Sequence, residues 1–143
     1  MSLTPDAVIH QWFKQVWDEG REEAIDRLAA PDLVAHGLSG SEGPMRGTAA
    51  FKELFRTFRE ALGDLQIEIG KTLVQGDLTA VSCVVKGRHI GHAFGAPPTN
   101  KPVTFHGVVI ARVVDGRIVE GWNAFDFLTM YQQIGWVKTP PLP

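Results

Sequence analysis

Five histidines are spread along this chain, and they are the side chains best suited to moving a proton near neutral pH. His36 closes the short apolar run Leu33–Val34–Ala35 ahead of a Gly-rich stretch. An imidazole there can act as general base in an apolar pocket, or bond to backbone at a loop edge. His89 ends a Val-rich run, and His92 follows in a Gly/Pro-rich segment, so the first suits ordering that segment and the second its rim. His10 falls on the polar edge of a helical pattern, where it is solvated. His89 and His92 are three apart but on a turn, and no second pair with Asp, Glu or Cys has ligand spacing. No metal is expected. Asp126 stands where a long apolar run gives way to a last helical pattern, so its carboxylate is either a cavity acid or a helix N-cap. Asn123, three residues earlier, cannot abstract a proton. Its amide can donate to a carbonyl or enolate oxygen, or serve as a satisfied buried anchor.

These side chains have to be positioned by a set of elements that the apolar spacing outlines. Val8, Ile9, Trp12, Phe13, Val16 and Trp17 recur at three- and four-residue intervals and predict a long helix from Pro5, capped by Thr4, to Gly20. A short helix over Glu22–Leu28 and a strand over Leu33–His36 follow. The Gly/Ser-rich stretch 37–47 predicts a loop, and Thr48 opens a helix that presents Phe51, Leu54, Phe55, Phe58 and Leu62 before Gly63. Strands are expected over Leu65–Ile69, Leu78–His89, Val103–Val114 and Arg117–Phe125, the last two joined by the hairpin pair Asp115–Gly116. Residues 91–101 read as a loop, Leu128–Ile134 as a last helical turn or two, and 137–143 as a loose Pro-rich tail. Helices followed by antiparallel strands predict one α+β domain over 1–143, with a curved antiparallel sheet around the N-terminal helices.

Composition narrows the function. The 143 residues carry a net charge of −2 with Lys and Arg scattered, so no basic stripe awaits nucleic acid. No apolar run is long enough to cross a membrane, and a cytoplasmic location is expected. The single cysteine, Cys83, sits in an apolar run and forms no intrachain disulfide. No phosphate loop or nucleophile elbow is present, so nucleotide-dependent and serine-hydrolase readings fall away.

Four strings carry a resemblance. Gly87-Arg88-His89-Ile90-Gly91, Gly95-Ala96-Pro97-Pro98-Thr99, Arg112-Val113-Val114-Asp115-Gly116-Arg117-Ile118 and Gln133-Ile134-Gly135, in this order and spacing, resemble the SnoaL-like polyketide (ester) cyclases. The resemblance runs through nearly the whole chain. It implies the cone-shaped α+β barrel of nuclear transport factor 2 and ketosteroid isomerase, with an apolar pocket and sheet-to-sheet pairing of two subunits. It implies aldol ring closure without metal or cofactor, by an Asp on the last long strand supported by a His and a Gln on the strand before. Register fixed on Arg112–Gly116 puts the Asp position at Asn123, the His at Val109 and the Gln at Gly107. The proton-transferring group would therefore lie elsewhere, with His36 and Asp126 as substitutes and Asn123 holding the oxyanion.

Strand alternation sorts the faces. If Asn123 faces the cavity, so do Val119, Gly121 and Phe125, with Phe105, Gly107 and Val109 opposite. Trp12, Val16, Phe55, Phe105, Val109 and His89 are the expected ligand contacts. The other face carries His106, Val108, Ile110, Arg112, Glu120, Trp122 and Ala124, an apolar centre with a charged rim that fits a homodimer interface. The expected function is acid/base chemistry (aldol cyclisation, isomerisation or dehydration) on a small apolar or aromatic carbonyl compound. The alternative is a dimer that binds such a compound without reaction.

Overall fold

A computed structural model describes residues 3–38, 43–92 and 97–138. Gly95–Ala96 of the resemblance strings, parts of both Gly-rich loops and the end of the tail lie outside the described residues.

The N-terminal apolar stripe forms one helical rod in two geometries. Pro5 opens helix α1 (Pro5–Gln11), and Thr4 precedes it without making a side-chain cap bond, contrary to expectation. The next seven residues, Trp12–Asp18, are a π-helix, whose i→i+5 bonding is seen where the Glu19 N–H donates to the Lys14 carbonyl at 2.9 Å. Helix α2 (Glu23–Leu28) buries Ala24, Ile25 and Leu28, and α3 (Thr48–Ala61) turns Phe51, Phe55 and Ala61 inward.

Six strands form one curved sheet in the order β2-β1-β6-β5-β4-β3. They are β1 (Ala29–His36), β2 (Met45–Arg46), β3 (Leu62–Gln75), β4 (Leu78–His89), β5 (Pro102–Val114) and β6 (Arg117–Phe125). Asp115 and Gly116 take φ of 51° and 76°, the left-handed pair a tight two-residue hairpin requires. Burial alternates along β5: Val103, Phe105, Val109, Ala111 and Val113 are buried, while Thr104, His106, Val108 and Ile110 are exposed. Helices cover the first set. The cone-shaped α+β reading therefore holds, with three differences.

The sheet is mixed, because β1 pairs with β6 in parallel. β3 is 14 residues long rather than five, carried through two register shifts. Within the Gly/Ser-rich segment, Met45–Arg46 add a short edge strand to β1. Helix α4 (Phe127–Gln133) follows β6 directly. No described helix is long and apolar enough to cross a membrane.

Candidate functional site

The concave face of the sheet and the helical rod enclose an apolar cavity in two lobes. One, of about 60 Å³, lies among Trp12, Phe51, Val109, Ile118 and Asn123. The other, of about 50 Å³, lies among Leu54, Phe58, Val85, Phe105 and Phe127. Trp17, Leu38 and Phe125 border both. Two local features build this wall. Trp12 and Trp17 are five residues apart, a spacing that an α-helix splays but that i→i+5 winding stacks on one side. Opposite them, Phe125 needs Gly107: a Cβ there would stand 2.2 Å from the Phe125 ring. The glycine at the position where the resemblance implies a Gln thus makes room for an aromatic partition.

Asn123 is the polar exception in this wall. It faces the cavity as its strand alternation requires, beside Gly121 and across from Val109. Its Nδ2 donates to the His36 carbonyl at 2.9 Å, and the amide carries a second hydrogen. Gly37, with φ of 81°, lies so close to this strand that a Cβ would come 2.0 Å from the Asn123 carbonyl oxygen. The end of β1 is therefore seated tightly on Asn123. Among the described lining residues no side chain is ionisable.

The two expected proton carriers lie elsewhere. His36 pairs with Trp122 in the parallel ladder, so its ring points to the convex face. There its Nε2 lies 2.7 Å from Glu120 Oε2, and the ring stacks on Trp122 at 5.5 Å and 11°. The neighbouring Ala35, not His36, faces the cavity. Asp126 is exposed and caps α4, accepting the Thr129 N–H at 3.0 Å and the Thr129 hydroxyl at 2.5 Å. The hydroxyl foremost, then the amide, holds its carboxyl below the ordinary carboxylate range.

Of the expected ligand contacts, Trp12, Phe105 and Val109 line the cavity. Val16 and Phe55 are buried without bordering either lobe, since the π-helix turns Trp17 rather than Val16 inward and Phe55 packs behind Trp17 at 5.5 Å. His89 is fully buried at the far end of β4. Its Nδ1 accepts the Thr99 N–H at 3.2 Å, which orders the following loop instead of reaching the cavity. Val119 is displaced by a register shift between Arg112 and Val113, so Ile118 faces inward in its place. Leu38 was hidden in a stretch of loop composition, where no periodicity reports direction. Cys83 is buried, and burial pushes its thiol up to about 11.

The profile of the SnoaL-like polyketide cyclases matches residues 7–134. Nogalonic acid methyl ester cyclase of Streptomyces nogalater is 27% identical over 120 residues, covering 83% of this chain and 89% of that one. Aklanonic acid methyl ester cyclase DauD of Streptomyces sp. strain C5 is 22% identical over 152 residues, covering 99% and 93%. Among solved structures, IdmH of Streptomyces antibioticus, a candidate polyketide cyclase, superposes with a TM-score of 0.80 at 28% identity, over 93% of this chain and 99% of that one. A Catenulispora acidiphila protein of ketosteroid isomerase-like fold, 19% identical over 96% and 100%, has a TM-score of 0.74 and speaks for the fold alone.

Proposed function

The chain belongs to the family of SnoaL-like polyketide cyclases, and from that premise we propose that it closes a ring in a small, apolar, carbonyl-bearing polyketide held against Asn123. The observation that carries this reading is a single amide in an otherwise apolar wall. Intramolecular closure is limited by bringing two carbons of a flexible chain together, and a close apolar cavity supplies that confinement. The amide hydrogen not given to His36 then donates to the oxygen on which negative charge develops. In an intramolecular aldol the proton lost from carbon ends on the new hydroxyl. The step needs a proton carrier but consumes no base, and no cofactor enters.

The test uses the compounds for which the relatives are named. Nogalonic and aklanonic acid methyl esters are incubated with the protein and followed by chromatography and mass spectrometry. A product of unchanged mass and altered retention is expected, formed about 10²–10³-fold more slowly by Asn123→Ala, the scale of one lost oxyanion donor. A second reading, a binding protein without turnover, draws on the absence of an ionisable side chain among the described lining residues. Quenching of tryptophan fluorescence by either ester with no product would select it.

A further inference from the structure

Each lobe, at about 50 and 60 Å³, is well below the ~150 Å³ of an apolar cavity that takes up a benzene ring. A fused-ring occupant can enter only if the partition between the lobes moves. Three side chains make that partition, and two are anchored. Trp17 packs against Phe51, Phe55 and Phe58 with ring centroids 6.0, 5.5 and 6.3 Å apart, and its carbonyl accepts Arg59 Nη1 at 2.8 Å. Phe125 lies on Gly107 between Phe105, at 6.4 Å, and Phe127, at 5.8 Å.

Leu38 packs against the core by aliphatic contact alone, with no ring stacked on it and no hydrogen bond to it among the described residues. It is half-buried, aliphatic, and joined to β1 through Gly37 in a left-handed conformation. We infer that Leu38 is the specificity-determining gate of the cavity: its displacement merges the lobes, and its size sets how many fused rings the site admits. The gate is hinged at Gly37 and held at its base by the Asn123 amide on the His36 carbonyl. The same residue that would hold a substrate oxygen therefore fixes the strand end from which the gate extends. The class of occupant follows: a fused-ring compound running from Asn123 past Leu38 towards Phe105, with its carbonyl at the Asn123 end. Only that last orientation rests on the proposed ring-closing role.

Naphthalene, which has no oxygen to bring to Asn123, tests the gate apart from the chemistry. Its affinity for the wild type, Leu38→Ala and Leu38→Trp is measured by calorimetry, with thermal melting to confirm that each variant is folded. Leu38→Ala is expected to bind about tenfold tighter than the wild type, because a merged cavity shields both rings from water, and Leu38→Trp at least as much weaker. Equal affinities in the three folded proteins, or no binding to any of them, overturn the gate. Failure of the esters to cyclise while Leu38→Ala still gains affinity leaves the gate standing and removes the ring-closing role.

Discussion

At the scale of single residues, Asn123 and Asp126 make opposite demands on the solvent around them. Asn123 sits in an apolar wall with one hydrogen already on the His36 carbonyl. In Asn123→Asp the new carboxylate would face that carbonyl with little water, and both effects favour its neutral form. A group whose folded pKa is raised contributes stability below its unfolded value and loses it as pH rises. The melting temperature of the variant should therefore approach wild type near pH 4 and fall clearly below it at pH 8; an equal deficit at both would contradict the location. Asp126 gives the reverse sign. Its carboxyl is held low by Thr129, so the cap is present above the ordinary value of 3.8 and lost as pH falls. Asp126→Ala should melt earlier than wild type at pH 7, with a difference that fades towards pH 3 and no effect on ester turnover. The inward direction of Asn123 was legible only through the resemblance, because a two-residue turn by itself would set Asn123 opposite Val108 on the convex face, and the register shift at Val119 brings it opposite Val109 instead. The direction of His36 was not: it depends on a parallel pairing with a strand more than eighty residues away, which leaves no trace in local spacing.

Among elements, the π-helix has the largest consequence for the site. Its apolar residues also recur at three and four, so the sequence reads as an ordinary amphipathic helix, and only the five-residue interval between Trp12 and Trp17 hints otherwise. Strands β4 and β6 were legible to the residue because each is bounded by turn residues, although only β4 keeps period two and β6 breaks it at Val119. β3 was legible only in its middle, since register shifts at both ends break its alternation. The π-helix is tied to β3 by Asp18, whose Oδ1 accepts the Ile67 N–H at 2.7 Å. Burial, as the largest influence, raises this carboxyl above its ordinary range in spite of that bond and of Lys14 and Arg59 nearby. Its ionisation therefore works against the fold as pH rises. Asp18→Asn keeps an acceptor for Ile67 and removes the charge. It should melt at or above the wild-type temperature at pH 7 and flatten the pH dependence between 4 and 7. A melting temperature lower at pH 7 than at pH 4, relative to wild type, would show that the charge is needed there.

For the whole molecule, the sheet's two faces are unequally covered. Helices close the concave side, but on the convex side Ala80, Ile110, Trp122 and His36 align in one row across β4, β5, β6 and β1. Val108 at 47%, Ile110 at 40% and Trp122 at 36% remain exposed there, and the His36 ring stacked on Trp122 extends the flat area. The row is bordered by Glu120 and Arg112, the arrangement of an apolar centre with a polar rim that subunit interfaces adopt. A self-complementary sheet face can meet a second copy about a two-fold axis, each copy burying on the order of 800 Å² in a standard interface. We therefore expect a homodimer through this face. Sedimentation at micromolar concentration should give twice the mass of 15.7 kDa. Ile110→Glu should return the monomer, because two carboxylates brought together in a dry centre cannot both stay solvated. Ile110 points away from both lobes, so the monomeric variant should still bind naphthalene as the wild type does. A wild-type monomer, or a dimer that survives Ile110→Glu, would mean that copies meet elsewhere and that this face has another occupant.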